Sequence, residues 1–292
     1  MEVKFKYSKY IDLVFHVLAH MHVNNASDLF SQKYIGTIQK EKHPGDVDLP
    51  TEIRPLEQYY NNNFERLGMI NFLPFYSDSL NELKQILFNY NGFNKDDINE
   101  FVTPFIDLLE REATFYYEYW EKQHKTLHDR INVVESQMER LLKNYKCIFD
   151  YYKKSALVYF SISITRNGRG FSGIKNYFSA VIPFPTKQQE FVNSFFTLLH
   201  EYTHQFTDRL LNTNISMQDG SHNMSENIVM LFDYHLIKAV NSTHKEAYIN
   251  RLAKLSGNDG VKITETGILK IFDVPREINN NILDLLGTIL LV

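Results

Sequence analysis

The chain has no basic excess, almost no cysteine and no apolar run long enough to cross a bilayer. Cys147 is its one cysteine in 292 residues, which excludes an intrachain disulfide and a cysteine-rich metal site. Any metal must then be held by histidines and carboxylates. The 31 Lys and Arg are outnumbered by 35 Asp and Glu, giving a formal charge of −4. No positive field exists to draw in a phosphate backbone, so nucleic acid is not an expected partner. Met1 to Tyr10 interleaves Lys with aromatic residues and lacks the unbroken apolar stretch of an export signal. The expectation is a cytoplasmic protein without a membrane span, with a secreted form lacking its signal as the alternative. No internal repeat or low-complexity tract is present.

What the chain does have is apolar bulk. A 43% apolar content that includes 22 Phe and 18 Tyr suits an ordered globular protein with its own core. Pro44, Gly45, Pro50 and Pro55 mark 43–55 as a loop. From Ser79 to Tyr145 apolar residues return every three or four positions, and Arg111 to Tyr145 contains neither Gly nor Pro, so one or two long helices are expected. The Tyr and Phe cluster from Phe115 to Trp120 reads as helix contact.

Beyond Cys147 the character changes. Ala156–Thr165 and Tyr177–Pro183 are rich in β-formers and flank Asn167, Gly168, Gly170 and Gly173, which reads as a hairpin with Arg166 to Arg169 at its tip. Thr186 with Gln189 resembles a capping box opening a helix over about 187–211. A loop over 212–223, a helix through Val240, a turn at 256–260 and a break at Pro275 complete the chain.

The chemistry lies in His200-Glu201-Tyr202-Thr203-His204, an H-E-x-x-H sequence. Two histidines four residues apart share a helix face and can bind one zinc, and the glutamate between them can take a proton from the attacking water. Phe191, Phe195, Leu199, Tyr202, Phe206 and Leu210 form an apolar stripe, with His200, His204 and Asp208 on the stripe beside it. The histidines therefore border the core, and Tyr202 belongs to the packing. The alternative is a polar surface pair solvated by Glu201. His16 and His20 share the same spacing without a glutamate between them and read as partly buried histidines with local hydrogen bonds.

Zinc also needs a third protein ligand. The metzincin pattern H-E-x-x-H-x-x-G-x-x-H is excluded by Thr207 and Leu210. Glu226, 22 residues beyond His204, is the better match, from the first turn of the next helix. Its alternative role is structural, because Asn223-Met224-Ser225-Glu226 also reads as a capping box. Asp208, Asp219 and His222 are reserve ligands.

At His200-Glu201-Tyr202-Thr203-His204-Gln205-Phe206-Thr207-Asp208 the sequence resembles the zinc helix of the gluzincin, thermolysin-like metallopeptidases, including the Thr before the second His and the Asp four residues after it. The resemblance spans about 45 residues, up to the Glu226 helix. It implies zinc on His200, His204 and Glu226, with Glu201 as the catalytic base. Two departures stand out: the spacing to Glu226 is slightly longer, and Met230 occupies the position of an expected Asp. Asp233, two turns from Glu226, is the candidate to support a ligand instead, as is Asp208. The G-A-M-E-N segment of the related aminopeptidases is absent. The donor for the tetrahedral oxyanion is not identifiable, with His222 and Tyr234 as candidates and His235 and Tyr248 behind them.

The expected architecture is α+β and mainly helical: an N-terminal helical region over 1–145, then a zincin-like catalytic region over 146–292 with a small antiparallel sheet, the zinc helix and a helical C-terminal lobe. The expected function is zinc-dependent hydrolysis of a peptide or protein substrate. The competing readings are a zinc hydrolase of another substrate class and a catalytically silent interaction protein. The resemblance further implies that one of the two strands forms an exposed antiparallel edge beside the metal, where an extended substrate would pair.

Overall fold

Val3 and Phe5 alternate with Lys4 and Lys6, and this period of two makes a strand, β1 (Val3–Lys6), in which every second residue turns inward. The computed structural model describes residues 2–23, 30, 32–165, 167–174, 177–211, 221–255, 264, 267, 272 and 274–291. Helix α1 (Lys9–Leu18) follows, its first turn capped by the Ser8 hydroxyl, which accepts from the Ile11 N–H at 3.4 Å. Next come α2 (Gln32–Glu41), α3 (Leu49–Glu52), α4 (Arg54–Asn62), α5 (Phe64–Leu67), α6 (Leu80–Asn89) and α7 (Lys95–Asp97). The segment read as a loop over 43–55 thus contains α3 and the start of α4. Pro50 and Pro55 sit in the first turns of these helices, where a missing N–H costs nothing.

The long helix is real. Helix α8 (Thr103–Asn144) runs 42 residues, about 63 Å, with Pro104 in its first turn and no breaker behind it. Its first half buries Phe105, Leu108, Leu109 and Tyr116, and its last turns bury Val134, Met138 and Leu141 in a different core. Helix α9 (Lys146–Tyr152) leads into β2 (Ser155–Ser161), β3 (Arg169–Ile174) and β4 (Tyr177–Pro183).

The sheet is mixed, and this corrects the antiparallel expectation. Its order is β1-β2-β4-β3. Strand β2 runs parallel to both β1 and β4, and only β3 is antiparallel, paired to β4 with Gly170 opposite Ala180. The hairpin expected between Ala156–Thr165 and Tyr177–Pro183 does not exist, because those strands are parallel neighbours. The glycine-bearing stretch between them forms an edge strand.

Both faces of the sheet are covered, which explains the misreading. Ala156, Val158, Phe160, Phe178, Ala180 and Ile182 face one core, whereas Tyr159 and Val181 face the other. A strand buried on both sides is nearly continuously apolar and carries no alternation to betray its direction. The two cores do not part at one point of the chain, since β1 lies in the same sheet as β2 and α8 enters both.

Below the sheet runs α10 (Phe191–Leu211), where Phe191, Phe195, Leu199, Tyr202 and Phe206 are all buried as their stripe demands. Its entry is fixed one residue later than the expected box: Glu190 Oε2 accepts from the Thr186 N–H, the Thr186 hydroxyl and the Lys187 N–H at 2.7–3.0 Å. The region is closed by α11 (Ser221–Val240), α12 (Ser242–Leu255) and α13 (Arg276–Leu290), the last beginning directly after Pro275. The predicted loop falls outside the described residues over 212–220 and is helical from Ser221, and the predicted turn at 256–260 also lies outside them. Among the described residues, no helix is long and apolar enough to cross a membrane.

Candidate metal centre

Helix α10 sets its buried stripe against the sheet, and the neighbouring stripe carrying His200 and His204 then faces α11. The rings of these two histidines stand with centroids 4.9 Å apart. Glu226 reaches across from α11, its Oε2 3.1 Å from His200 Nε2 and its Oε1 3.5 Å from His204 Nε2. All three side chains are partly exposed, at 20%, 26% and 31%, so the cluster opens to solvent and is not sealed in the core.

The donor set fits a zinc ion. Two ligands held at about 2.0–2.1 Å in a tetrahedron lie roughly 3.3 Å from each other. The two Nε2-to-carboxylate separations bracket that value, and one ligand atom from each of the three residues lies within 4.8 Å of the others. Both histidines present the same ring nitrogen. The opposite nitrogen of His200, Nδ1, stands 3.5 Å from Asp233 Oδ2. A carboxylate behind a ligating imidazole fixes its tautomer and makes it a better donor. Asp233 is itself held by the Thr203 hydroxyl, donating to Oδ1 at 2.8 Å, and by the Tyr248 hydroxyl at 3.4 Å from Oδ2.

Electrostatics agree with the geometry. Burial opposes protonation of His200, but Asp233 and Glu226 outweigh it and lift its pKa to about 10. The pocket is one that favours a positive charge. Burial raises the carboxyl of Asp233 against the pull of His200 and Thr203, and raises that of Glu201 against the pull of His200 and Arg169.

Two expectations for Glu226 change. Helix α11 begins at Ser221, so Asn223 lies inside the helix and not at the N-cap position that the box assumed. Glu226 stands in the second turn and not the first. The side chains of Asp208 and His222, and all of Asp219, lie outside the described residues. Tyr234 is buried in the C-terminal core with its ring 5.3 Å from that of His235, and His235 Nε2 lies 3.3 Å from Asn279 Oδ1. Tyr248 is placed behind Asp233.

Neither strand expected to offer a free edge does so, since β2 and β4 are each paired on both sides. The antiparallel edge is β3, and it passes beside Glu201. Sequence reasoning placed these residues at a hairpin tip. The glycines at alternate positions 168 and 170 were the signal that a backbone had to come close to something. Along α10, one turn before Glu201, a cavity of about 740 Å³ is lined by Ser161, Asn193, Thr197 and Arg251, among others. No family model, curated protein or solved structure matches the chain.

Proposed function

We propose that the chain is a zinc-dependent hydrolase of the gluzincin kind, acting on peptide bonds, with the metal held by His200, His204 and Glu226. The observation that carries this reading is the convergence of both Nε2 atoms and the Glu226 carboxylate at separations suited to one tetrahedral ion. Bound zinc supplies Lewis acidity, which polarises a scissile carbonyl and acidifies water. The protein's own part is positioning and proton transfer. Glu201, next to His200 in sequence, accepts the proton of the attacking water and returns it to the departing amine. Burial favours its protonated form, which suits a group that must hold a proton between the two steps. Asp233 keeps His200 in the tautomer that points Nε2 toward the ion. An extended substrate pairs with the open edge of β3, and the cavity beside Thr197 offers room for one of its side chains.

The test is metal content and turnover measured on the same samples of wild type and Glu201→Gln. Wild type is expected to carry about one zinc per chain and to cleave members of a broad peptide library. Glu201→Gln is expected to keep zinc while turnover falls by roughly three orders of magnitude or more, because shape is retained and the basic lone pair is lost. A wild type that binds zinc but cleaves no peptide removes the peptidase assignment. Retained turnover in Glu201→Gln removes the base.

A further inference from the structure

Strand β3 and helix α10 meet along matched stripes. Gly168, Gly170 and Ser172 turn to the helix, which presents Thr197, Glu201 and Gln205 at intervals of four. Two strand residues advance about 6.7 Å and four helical residues about 6.0 Å, so three successive contacts stay in step. At the far end the Ser172 hydroxyl donates to Gln205 Oε1 at 2.6 Å. At the near end a Cβ on Gly168 would stand 2.9 Å from Thr197 Cγ2 and 2.7 Å from the Val181 carbonyl oxygen. In the middle, a Cβ on Gly170 would stand 2.8 Å from Glu201 Cβ, 3.1 Å from Glu201 Oε2 and 2.8 Å from Phe178 Cζ.

Neither glycine has a left-handed backbone, since Gly45 is the one described glycine with positive φ. What positions 168 and 170 require is space. The Glu201 carboxylate lies within electrostatic reach of His200 and Glu226. β3 is fixed on its other side by β4, and its other face is fixed by Phe171, whose ring lies 5.5 Å from that of Phe72. Helix α10 is fixed by its buried stripe. With strand and helix both held, an added methyl group must displace the Glu201 side chain and the tip of the Phe178 ring.

We propose that Gly170 is a positioning residue for Glu201: its missing side chain lets β3 close on the helix, and the strand face so placed fixes where the Glu201 side chain lies beside His200 and Glu226. This rests on Glu201 being the base. The role differs from substrate pairing, because it uses the face of β3 and not its open edge. Gly168 and Ser172 set the register of the strand on the helix around it.

The experiment has two arms. In the first, metal-free protein is unfolded with urea as wild type, Gly170→Ala, Glu201→Gly and the double variant. Gly170→Ala should lower the midpoint clearly in the wild-type background and by less than half as much beside Glu201→Gly, where the opposing Cβ is gone. Equal losses in the two backgrounds overturn the contact. In the second arm, zinc-loaded Gly170→Ala should keep about one zinc per chain and a KM within about threefold of wild type, while kcat falls about 100-fold. Ser172→Ala loosens the strand without touching Glu201, and its loss of kcat should be at least tenfold smaller. Coupled stability with unchanged kcat overturns the positioning role, as does a Ser172→Ala loss equal to that of Gly170→Ala. Retained turnover in Glu201→Gln overturns the underlying base assignment whatever the first arm shows.

Discussion

Three histidine pairs stand at the same helical spacing in this chain, and the surroundings of two of them, His16 with His20 and His200 with His204, send them to opposite ends. On α1, His16 and His20 are buried, and their hydrogen bonds stay inside the fold. His16 Nε2 lies 2.8 Å from Glu112 Oε1, its Nδ1 lies 2.7 Å from the Tyr34 hydroxyl, and His20 Nδ1 donates to the His16 carbonyl at 2.9 Å. The Glu112 carboxylate is already balanced by Lys42, whose Nζ stands 2.7 Å from Oε2. Burial and Lys42 hold His16 well below its usual range, and burial and His16 hold His20 at about 4. On α10 the Nε2 atoms of His200 and His204 are aimed outward at a shared carboxylate, and neighbouring acids raise His200 where its counterpart is lowered. Spacing alone puts two rings on one face. The groups around them differ: Lys42 supplies a cation within the first cluster, and the three side chains of the second are placed so that they could hold a metal ion.

The widest separation between the pairs should appear in zinc affinity. His204→Ala and Glu226→Ala each remove one of the three proposed ligands and should weaken zinc by roughly three orders of magnitude, whereas His20→Asn should bind as wild type does. Competition titration against a chelator decides it. Zinc loss from His20→Asn, or undiminished binding by His204→Ala, would erase the distinction drawn here.

A smaller effect is expected one bond farther out. Asp233→Asn keeps the shape of the group behind His200 but removes its charge, and zinc affinity should fall about 10- to 100-fold with stoichiometry still reachable at high metal. An unchanged dissociation constant would make Asp233 a purely structural neighbour of Thr203 and Tyr248.

The smallest effect belongs to the first pair and is one of pH. His20 has a folded pKa of about 4, against about 6.5 unfolded. Between these values the unfolded chain binds more protons, so the stability His20 contributes is complete above the unfolded value and is lost as pH falls toward the folded one. Buried Glu112 and Asp12, both raised by burial, act with the opposite sign, and they are common to wild type and variant. Asn at position 20 can still donate to the His16 carbonyl but does not titrate. Urea unfolding of metal-free protein at about pH 7 and about pH 5.5 should therefore show wild type losing about 1 kcal/mol more than His20→Asn. Parallel losses would mean that His20 does not carry this dependence.

Much of this arrangement was legible in the residues. The stripe on α10, the neighbouring histidines and the long helix α8 follow from helical periodicity, a short-range property written in consecutive residues, whereas Glu226 was singled out by its distance beyond His204 and by the resemblance. What failed were statements about partners. Strands β2 and β4 gave no alternation because each is covered twice, so their parallel pairing could not be read. Strand β3 was hidden by its glycines, which mark a turn or a close approach equally well. Glu112 answers His16 from 96 positions away, and no local pattern announces it. β1 was missed although Val3 and Phe5 showed its period, because only four residues carry it.

Strand β1 also ties the order of folding to the order of synthesis. Val3 pairs with Ala156 and Lys6 with Tyr159, so these residues must wait for the synthesis of a long intervening stretch before they find their neighbours. Contacts that distant form slowly, since the intervening loop must be closed before any bond repays it. The N-terminal helices can gather earlier around α8, but one face of their core stays open until β2 and β4 arrive as its wall. Because α10 packs on β4 and β3, at the far side of the sheet from β1, the His200, His204 and Glu226 cluster does not depend on that distant pairing for its scaffold.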